Sequence, residues 1–226
     1  MLKKLFGYPK FHVADEAYEE YWQNRKIRPG TFNSFQKKRA ELSLEYVEPS
    51  SVLLDVGTGN GALLAYLNKH KPMQRLIGVD FSSTVLDMAR LNGIETIQAD
   101  ISQIEVLEQL PAADYIFFFE VLEHLANSEE ILAWALKRAK KGVFFSVPNT
   151  GYFMHRLRLL FGRFPLQWRV RPNEHLRFWT VGDMRWWLRH LAPRNVMKLY
   201  EGPRVVRNIW PSLFAAGIWV FIPLSY

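Results

Sequence analysis

The most constraining feature of this 226-residue sequence is the alternation of short β-rich segments with helical segments from residue 51 onward. Five segments are predicted to be strands, the first of them buried: Ser51–Val56, Leu76–Asp80, Glu95–Asp100, Asp114–Phe119 and Gly142–Val147. Helix caps and basic last turns lie between them, as in the segment that ends at Lys69, His70 and Lys71 before Pro72. Strands joined by helical crossovers predict a doubly wound, parallel α/β sheet.

Two regions depart from this alternation and set the predicted domain boundaries. Residues 1–50 are helical in pattern and rich in aromatic residues, so we expect a helical lead-in that acts as a lid. The sheet domain then spans residues 51–226. Within it, residues 150–178 form an aromatic and arginine-rich insertion after the fifth strand.

The apolar segment 209–224 raises the question of a membrane span. It is shorter than the roughly 20 residues that a spanning helix needs, and Pro211 and Pro223 interrupt it. We therefore expect a buried strand with an approach loop. The sequence has no cysteine, which excludes disulfides and thiolate sites, and its start has no long apolar segment of a signal peptide. We expect a cytoplasmic protein, with peripheral contact to the inner face of the membrane as an open alternative.

Glycines and carboxylates gather where the predicted strands end. The first strand leads into a glycine-rich turn, Asp55–Gly61, where glycine allows a tight bend and close approach to a ligand. Asp80, Asp100 and Glu120 end the next three strands. Because ligands bind beyond the carboxyl ends of such strands, these residues are predicted to form one site.

The same turn also satisfies a dinucleotide-binding pattern. Gly57, Gly59 and Ala62 match G-x-G-x-x-G/A, with Asp80 about 20 residues further on. A cleft lined with several carboxylates suits a cationic cofactor without phosphates better than a pyrophosphate. The acids therefore favour a methyl donor over a dinucleotide.

Four segments resemble, in order and spacing, the motifs of class I S-adenosylmethionine-dependent methyltransferases: Leu54–Gly61, Gly78–Ser82, Gln98–Ile101 and Phe119–Leu125. The resemblance covers about residues 50–150. It implies a Rossmann-like, mostly parallel seven-stranded sheet and S-adenosyl-L-methionine as the cofactor. The cofactor-binding residues that it implies are Asp55, Gly57, Thr58, Gly59, Gly61, Asp80, Phe81, Asp100, Ile101 and Glu120.

The resemblance also implies how these residues are used. The glycine turn would lie against the methionine part of the cofactor, with Asp55 near the amino group. Asp80 would hold the ribose hydroxyls, Phe81 would lie against the adenine, and Asp100 with the backbone of Ile101 would bind the adenine amino group.

Three side chains near the predicted cofactor site are candidate catalytic bases. They are Glu120, Glu123 and His124, and His124 is the strongest because its ordinary pKa is near 6.5. Many methyltransferases act mainly by holding donor and acceptor together, so transfer without a base is the alternative.

The same residues raise a metal hypothesis. Glu120, Glu123 and His124 would share one helical face, and His175 would complete a ligand set for a divalent cation such as Mg²⁺. This set resembles that of metal-dependent ubiquinone-biosynthesis O-methyltransferases and of small-RNA 3′-terminal 2′-O-methyltransferases. The alternative is that these residues shape the cofactor pocket without a metal.

The insertion is predicted to cover the acceptor. Its apolar residues are Tyr152, Phe153, Leu157, Leu160, Phe161, Phe164 and Trp168, and its arginines are Arg156, Arg158, Arg163, Arg169, Arg171 and Arg177. The arginines would bind an anionic group. A cover helix packed on the core, or a basic amphipathic segment on an acidic membrane, are alternatives.

Segments flanking the core motifs resemble two branches of the superfamily. Residues 143–183 are similar to ubiquinone-biosynthesis-like and MetW-like methyltransferases, and the segment around Tyr18, Tyr21 and Trp22 resembles a lead-in helix that closes over the cofactor. Arg25 or Arg28 would then meet the methionine carboxylate.

The predicted function is methyl transfer to a small molecule, through an oxygen atom of an apolar or anionic acceptor. An RNA-end 2′-O-methyltransferase is one alternative, although the sequence shows no recognised RNA-binding module. A non-catalytic subunit that regulates a partner enzyme is the other.

Overall fold

A computed structural model describes residues 6–7, 29–165 and 175–224. The helices are α1 Ser34–Leu44, α2 Ala62–His70, α3 Ser83–Arg90, α4 Ile104–Glu108, α5 Ser128–Arg138, α6 Phe153–Leu160, α7 Val181–Leu191, α8 Arg204–Ile209 and α9 Pro211–Phe214. The strands are β1 Val52–Val56, β2 Arg75–Asp80, β3 Glu95–Gln98, β4 Ala113–Phe119, β5 Ala139–Pro148, β6 Val196–Tyr200 and β7 Gly217–Pro223. A 3₁₀ turn spans Leu122–His124.

The strands form one seven-stranded sheet in the order β3-β2-β1-β4-β5-β7-β6. β1 to β5 pair in parallel, and β7 runs antiparallel to both β5 and β6. This confirms the Rossmann-like, doubly wound, mostly parallel sheet. The strand order reverses between β1 and β4, which is where ligands bind in sheets of this kind.

Apolar residues alternate between the two faces of the sheet and build two cores. On one face Leu54 and Phe118 pack with residues of α5 and α7; on the other, Leu53 and Phe117 pack with residues of α1 and α2. Successive side chains of a strand point to opposite faces, so consecutive apolar residues indicate a strand that is covered on both sides.

The ends of two helices carry the caps that their sequences indicate. At the start of α7, the Asp183 backbone N–H donates to the Thr180 hydroxyl and the Thr180 N–H donates to the Asp183 carboxylate, which together form a capping box. α1 begins with an equivalent pair formed by Asn33 and Gln36.

The structure departs from the sequence predictions in three places. β3 ends at Gln98, so Asp100 lies two residues beyond the strand. β6 was not predicted. The approach to the last strand is two short helices, α8 and α9, rather than a loop, although β7 is buried as expected.

Within the described ranges, no helix has both the length and the apolar character needed to span a bilayer. The C-terminal apolar segment is instead used as an interior strand of the sheet, where Trp219 and Val220 are fully buried.

Candidate active site

The glycine-rich turn between β1 and α2 is held close to β2. The N–H groups of Gly57 and Thr58 both donate to the Val79 carbonyl, at 2.8 and 3.0 Å. Gly57 has a φ of +80°, and a Cβ there would lie 2.4 Å from Val121. The turn therefore packs directly on the segment that follows β4, and only glycine fits at that contact.

Gly59 differs from Gly57 in what surrounds it. Its φ is +53°, and no described residue places an atom within 4 Å of the position a Cβ would take. The positive φ favours glycine, while the open side leaves room for a ligand to approach the backbone.

Asp80 joins the ends of the first two strands. One carboxylate oxygen accepts the Gly59 N–H at 2.9 Å, and the other accepts the Ser82 N–H at 3.1 Å. The Ser82 hydroxyl in turn caps α3. The neighbouring Phe81 is 56% exposed. Asp80 therefore shapes both turns, in addition to the ribose-binding role that the resemblance implies.

Asp55 is a carboxyl group of the cleft with a raised pKa. Its side chain is buried at the end of β1, and its pKa is raised to about 7, chiefly because of burial. The Thr58 hydroxyl and Arg39 act to lower this pKa, and the charge of Asp80 acts to raise it. A buried carboxyl group of this kind is suited to receive a positively charged ligand group, which would stabilise its ionised form.

Arg39 of α1 reaches the same cleft and was not predicted. One guanidinium nitrogen lies 2.9 Å from a carboxylate oxygen of Glu120. Burial opposes its charge, but the nearby Glu120 and Tyr200 raise its pKa overall. The sequence prediction placed a cation at Arg25 or Arg28, which lie outside the described residues together with Tyr18, Tyr21 and Trp22.

The cleft beside these residues encloses about 370 Å³, including space open to solvent. It is lined by Phe32, Gln36, Arg39, Asp55, Gly57, Thr58, Asn60, Ala62, Leu63 and Phe119. A carboxylate and a guanidinium thus face one cavity, together with backbone of the glycine turn. Such a pair can bind the ammonium and carboxylate of an amino acid group.

Glu120 does not join Glu123 and His124 on one face. Its φ of +56° turns the chain at the end of β4, and its carboxylate oxygen accepts a hydrogen bond from the Ser146 hydroxyl at 2.8 Å beside Arg39. The following segment is a 3₁₀ turn and not the α-helix on which the shared face depended. The four-residue ligand set is therefore corrected: Glu120 belongs to the Arg39 ion pair.

Glu123, His124 and His175 do come together, although 51 residues separate the two histidines. Their potential ligand atoms lie within 4.8 Å of one another, and the two imidazole rings are 4.7 Å apart and nearly perpendicular. The N–H groups of Leu176 and Arg177 both donate to the Glu123 carbonyl, which fixes the distant segment to the 3₁₀ turn. We refer to these three residues as the Glu-His-His group.

Asp100 and Ile101 lie in the turn after β3. One Asp100 oxygen accepts the N–H and the hydroxyl of Ser102, at 3.0 and 2.7 Å, so the carboxylate organises its own turn. The role of Asp100 and Ile101 at the adenine stays a prediction.

The insertion differs from the predicted apolar wall. Tyr152, Phe153 and Leu157 are half-buried, but Leu160, Phe161 and Phe164 are mostly exposed. Trp168, Arg169 and Arg171 lie outside the described residues.

Three arginines of the insertion, among those that the structure describes, bond to other parts of the chain. Arg158 is buried and donates to the carbonyls of Phe164 and Gly7. Arg156 donates to the Gly151 carbonyl, and Arg177 pairs with Glu129. These three guanidinium groups are at least partly engaged in fixing the local fold.

A family model described as a methyltransferase domain matches residues 21–191. The chain belongs to this methyltransferase family. A solved S-adenosylmethionine-dependent methyltransferase from Archaeoglobus fulgidus superposes with a TM-score of 0.61 at 17% identity, covering 92% of this chain and 98% of that one. The methyltransferase therefore has the Rossmann-like fold of this S-adenosylmethionine-dependent neighbour, and the position of the cofactor in the cleft above the glycine turn stays a prediction.

Curated relatives agree with both branches that the sequence resembles. The methyltransferase is 29% identical over 165 residues to the bifunctional methionine biosynthesis protein MetXA/MetW of Rhodopirellula baltica, covering 64% of this chain but only 25% of that protein. It is 27% identical over 182 residues to the ubiquinone biosynthesis O-methyltransferase of Hahella chejuensis, covering 77% of this chain and 73% of the relative. The chain thus spans a quarter of the first relative and about three quarters of the second.

Proposed function

We propose that this methyltransferase transfers the methyl group to an oxygen atom of a small apolar or anionic acceptor. The observation that carries the proposal is the Glu-His-His group, two members of which, Glu123 and His124, lie in the turn that follows β4, whose last residue Phe119 lines the cleft. The similarity to a protein named as an O-methyltransferase supports the same chemistry.

The donor set of the Glu-His-His group fits a divalent cation. Two imidazoles and one carboxylate suit Mn²⁺, Fe²⁺ or Zn²⁺ better than Mg²⁺, which prefers oxygen ligands and waters. We therefore propose Mn²⁺ or a later first-row metal in place of the expected Mg²⁺. A bound cation would lower the pKa of an acceptor hydroxyl.

The chain's own residues would orient the reactants. Arg39 and Asp55 would hold the carboxylate and ammonium of the donor, so that its methyl group faces the Glu-His-His group. The acceptor oxygen attacks the methyl carbon, a C–O bond forms, and the C–S bond breaks to leave a neutral thioether. Without a bound cation, His124 or Glu123 would accept the acceptor proton; with a cation held by both side chains, the proton would leave to solvent.

The proposal is tested by assaying turnover on three acceptor classes: lipid-linked dihydroxy aromatics, soluble dihydroxy aromatics and RNA 3′ ends. We expect turnover on an aromatic hydroxyl, its loss in EDTA, and its recovery with Mn²⁺. Methylation of RNA ends alone would transfer the assignment to the nucleic-acid alternative, and methylation at nitrogen or carbon would overturn the oxygen proposal.

The metal is tested separately from turnover. We expect Mn²⁺ alone to bind the protein in electron paramagnetic resonance titrations, with the affinity falling about 100-fold or more in His175→Asn, because one ligand of three is lost. His190→Asn is the matched control, since His190 is an exposed histidine of α7. Equal Mn²⁺ binding by both variants, or none by the wild type, would contradict the metal site.

A further inference from the structure

The exposed apolar side chains are concentrated at one edge of the molecule. Of the fourteen large apolar side chains that are exposed among the described residues, six lie in residues 159–178 and three in residues 205–210. The most exposed of these are Leu160, Val205 and Ile209, each at 76% or more. Single exposed apolar residues are ordinary, but a concentration of this kind indicates an interaction surface.

The two segments share the carboxyl edge of the sheet. α6 follows the end of β5, and α8 and α9 follow the end of β6. β5 and β6 both run antiparallel to β7, so they point the same way and their carboxyl ends lie at the same edge. The Phe153 ring of α6 lies 5.2 Å from the Phe214 ring of α9, which joins the two segments.

The charge of these segments has one sign. Residues 150–164 and 202–224 contain no aspartate or glutamate. Arg156 is exposed, and Arg163 and Arg207 are half-buried, so basic groups flank the exposed apolar residues. The indole of Trp210 is 57% exposed, and tryptophan is enriched where proteins meet the membrane–water interface.

We propose that α6 with residues 161–164, together with α8 and α9, forms a docking surface for an anionic lipid bilayer. Apolar side chains with flanking arginines and no acids complement acyl chains beneath negatively charged headgroups. A soluble protein partner would not require the absence of acids over both segments. Only the role of this surface depends on the proposed function: when docked, it would turn the cofactor edge of the sheet toward an acceptor dissolved in the membrane.

Vesicle sedimentation tests the proposal on the full chain without a methyl donor. We expect the protein to pellet with vesicles that contain phosphatidylglycerol and to stay in the supernatant with phosphatidylcholine alone. Raising the salt from roughly 0.1 M to 0.5 M should release it, because the electrostatic part of the attraction is screened.

Two pairs of variants distinguish binding through this surface from nonspecific adsorption to vesicles. Ile209→Asp should weaken vesicle binding by about tenfold or more, because a charge replaces an apolar contact beneath anionic headgroups. Leu91→Asp is its control, since Leu91 is equally exposed, 78% against 79%, but lies at the opposite edge between α3 and β3. Trp210→Ala is a second test variant, and Trp186→Ala is its control, because both tryptophans are 57% exposed.

Three results would overturn the proposal: no pelleting with anionic vesicles, equal pelleting with neutral ones, or equal losses in the paired variants. A dimer in sedimentation velocity that Ile209→Asp converts to a monomer would assign the surface to a second copy instead. Calorimetric donor binding by the same protein is independent of vesicles, so failure of this proposal leaves the methyltransferase assignment intact.

Discussion

The donor side and the acceptor side of this molecule are built in different ways. On the donor side, Asp80 bonds two adjacent turns, and the glycine turn packs on the segment after β4. On the predicted acceptor side, α6 and α8 are short and expose large apolar side chains. The predicted cofactor site is thus framed by turns that are hydrogen-bonded to one another, whereas the predicted acceptor cover is thin and has an unburied outer face.

Asp80→Ala is expected to give the largest effect, because it removes two charge-assisted bonds to the frame as well as the predicted ribose contact. Loss of about 3 kcal/mol, or roughly 100-fold in S-adenosylmethionine affinity, is expected from isothermal titration calorimetry. Asp87→Ala is the control, because Asp87 is an exposed acid of α3 that pairs with Arg90. Unchanged affinity in Asp80→Ala would show that donor binding does not depend on the hydrogen bonds of Asp80 to the two turns, and would contradict the proposed difference between the two sides.

Asp55 is expected to make donor binding depend on pH. Its pKa of about 7 lies above its ordinary value, so lowering the pH below 7 protonates it. Because a donor ammonium favours the carboxylate, we expect the affinity to fall by up to about tenfold for each pH unit below 7. Calorimetry in buffers of different ionisation enthalpy should show proton release on binding near pH 6.

The free energy of unfolding of the ligand-free protein should also depend on Asp55, but it should fall as the pH rises, whereas donor affinity should increase. The folded state holds the Asp55 proton more tightly than the unfolded chain, so this group lowers stability as the pH rises from about 4 to about 7. Asp55→Asn should flatten both the affinity profile and this part of the thermal denaturation profile. Identical profiles in wild type and variant would assign the titration to another group.

The smallest effect is expected at the outer face of the acceptor side. Leu160→Ala and Ile209→Ala should each change the free energy of unfolding by less than about 0.5 kcal/mol, because both side chains are exposed. Chemical denaturation measures this. A loss of several kcal/mol would mean that these residues are buried in solution, and would remove the contrast between the two sides.

The predicted donor side could be recognised from the sequence because its residues follow strand ends. Gly57, Gly59, Asp55 and Asp80 were identified from strand ends and turn chemistry; in the structure Asp55 and Gly57 line one cleft, and Asp80 accepts the Gly59 N–H. Six of the seven strands were also evident from local patterns.

Residues that reach the site from distant segments were harder to predict. Arg39 stands beside Lys37 and Lys38 on a helix with little amphipathic character, so nothing local distinguishes it from a solvated cation. Glu120 was predicted to share a face with Glu123, but its positive φ and the tight 3₁₀ turn redirect it toward Arg39. β6 was missed because four of its five residues are only half-buried, which weakens the apolar pattern of a strand.

The position of β7 in the sheet affects how the chain can fold during synthesis. β6 pairs only with β7, which lies between it and β5. During synthesis β6 therefore emerges before the strand that will hold it, and the sheet is incomplete until residues 217–223 have left the ribosome. In that interval the edge of β5 and the whole of β6 offer unpaired backbone to other chains. Pairing of β7 with both β5 and β6 completes the sheet and covers this backbone. We therefore expect the nascent chain to be prone to aggregation until β7 has paired.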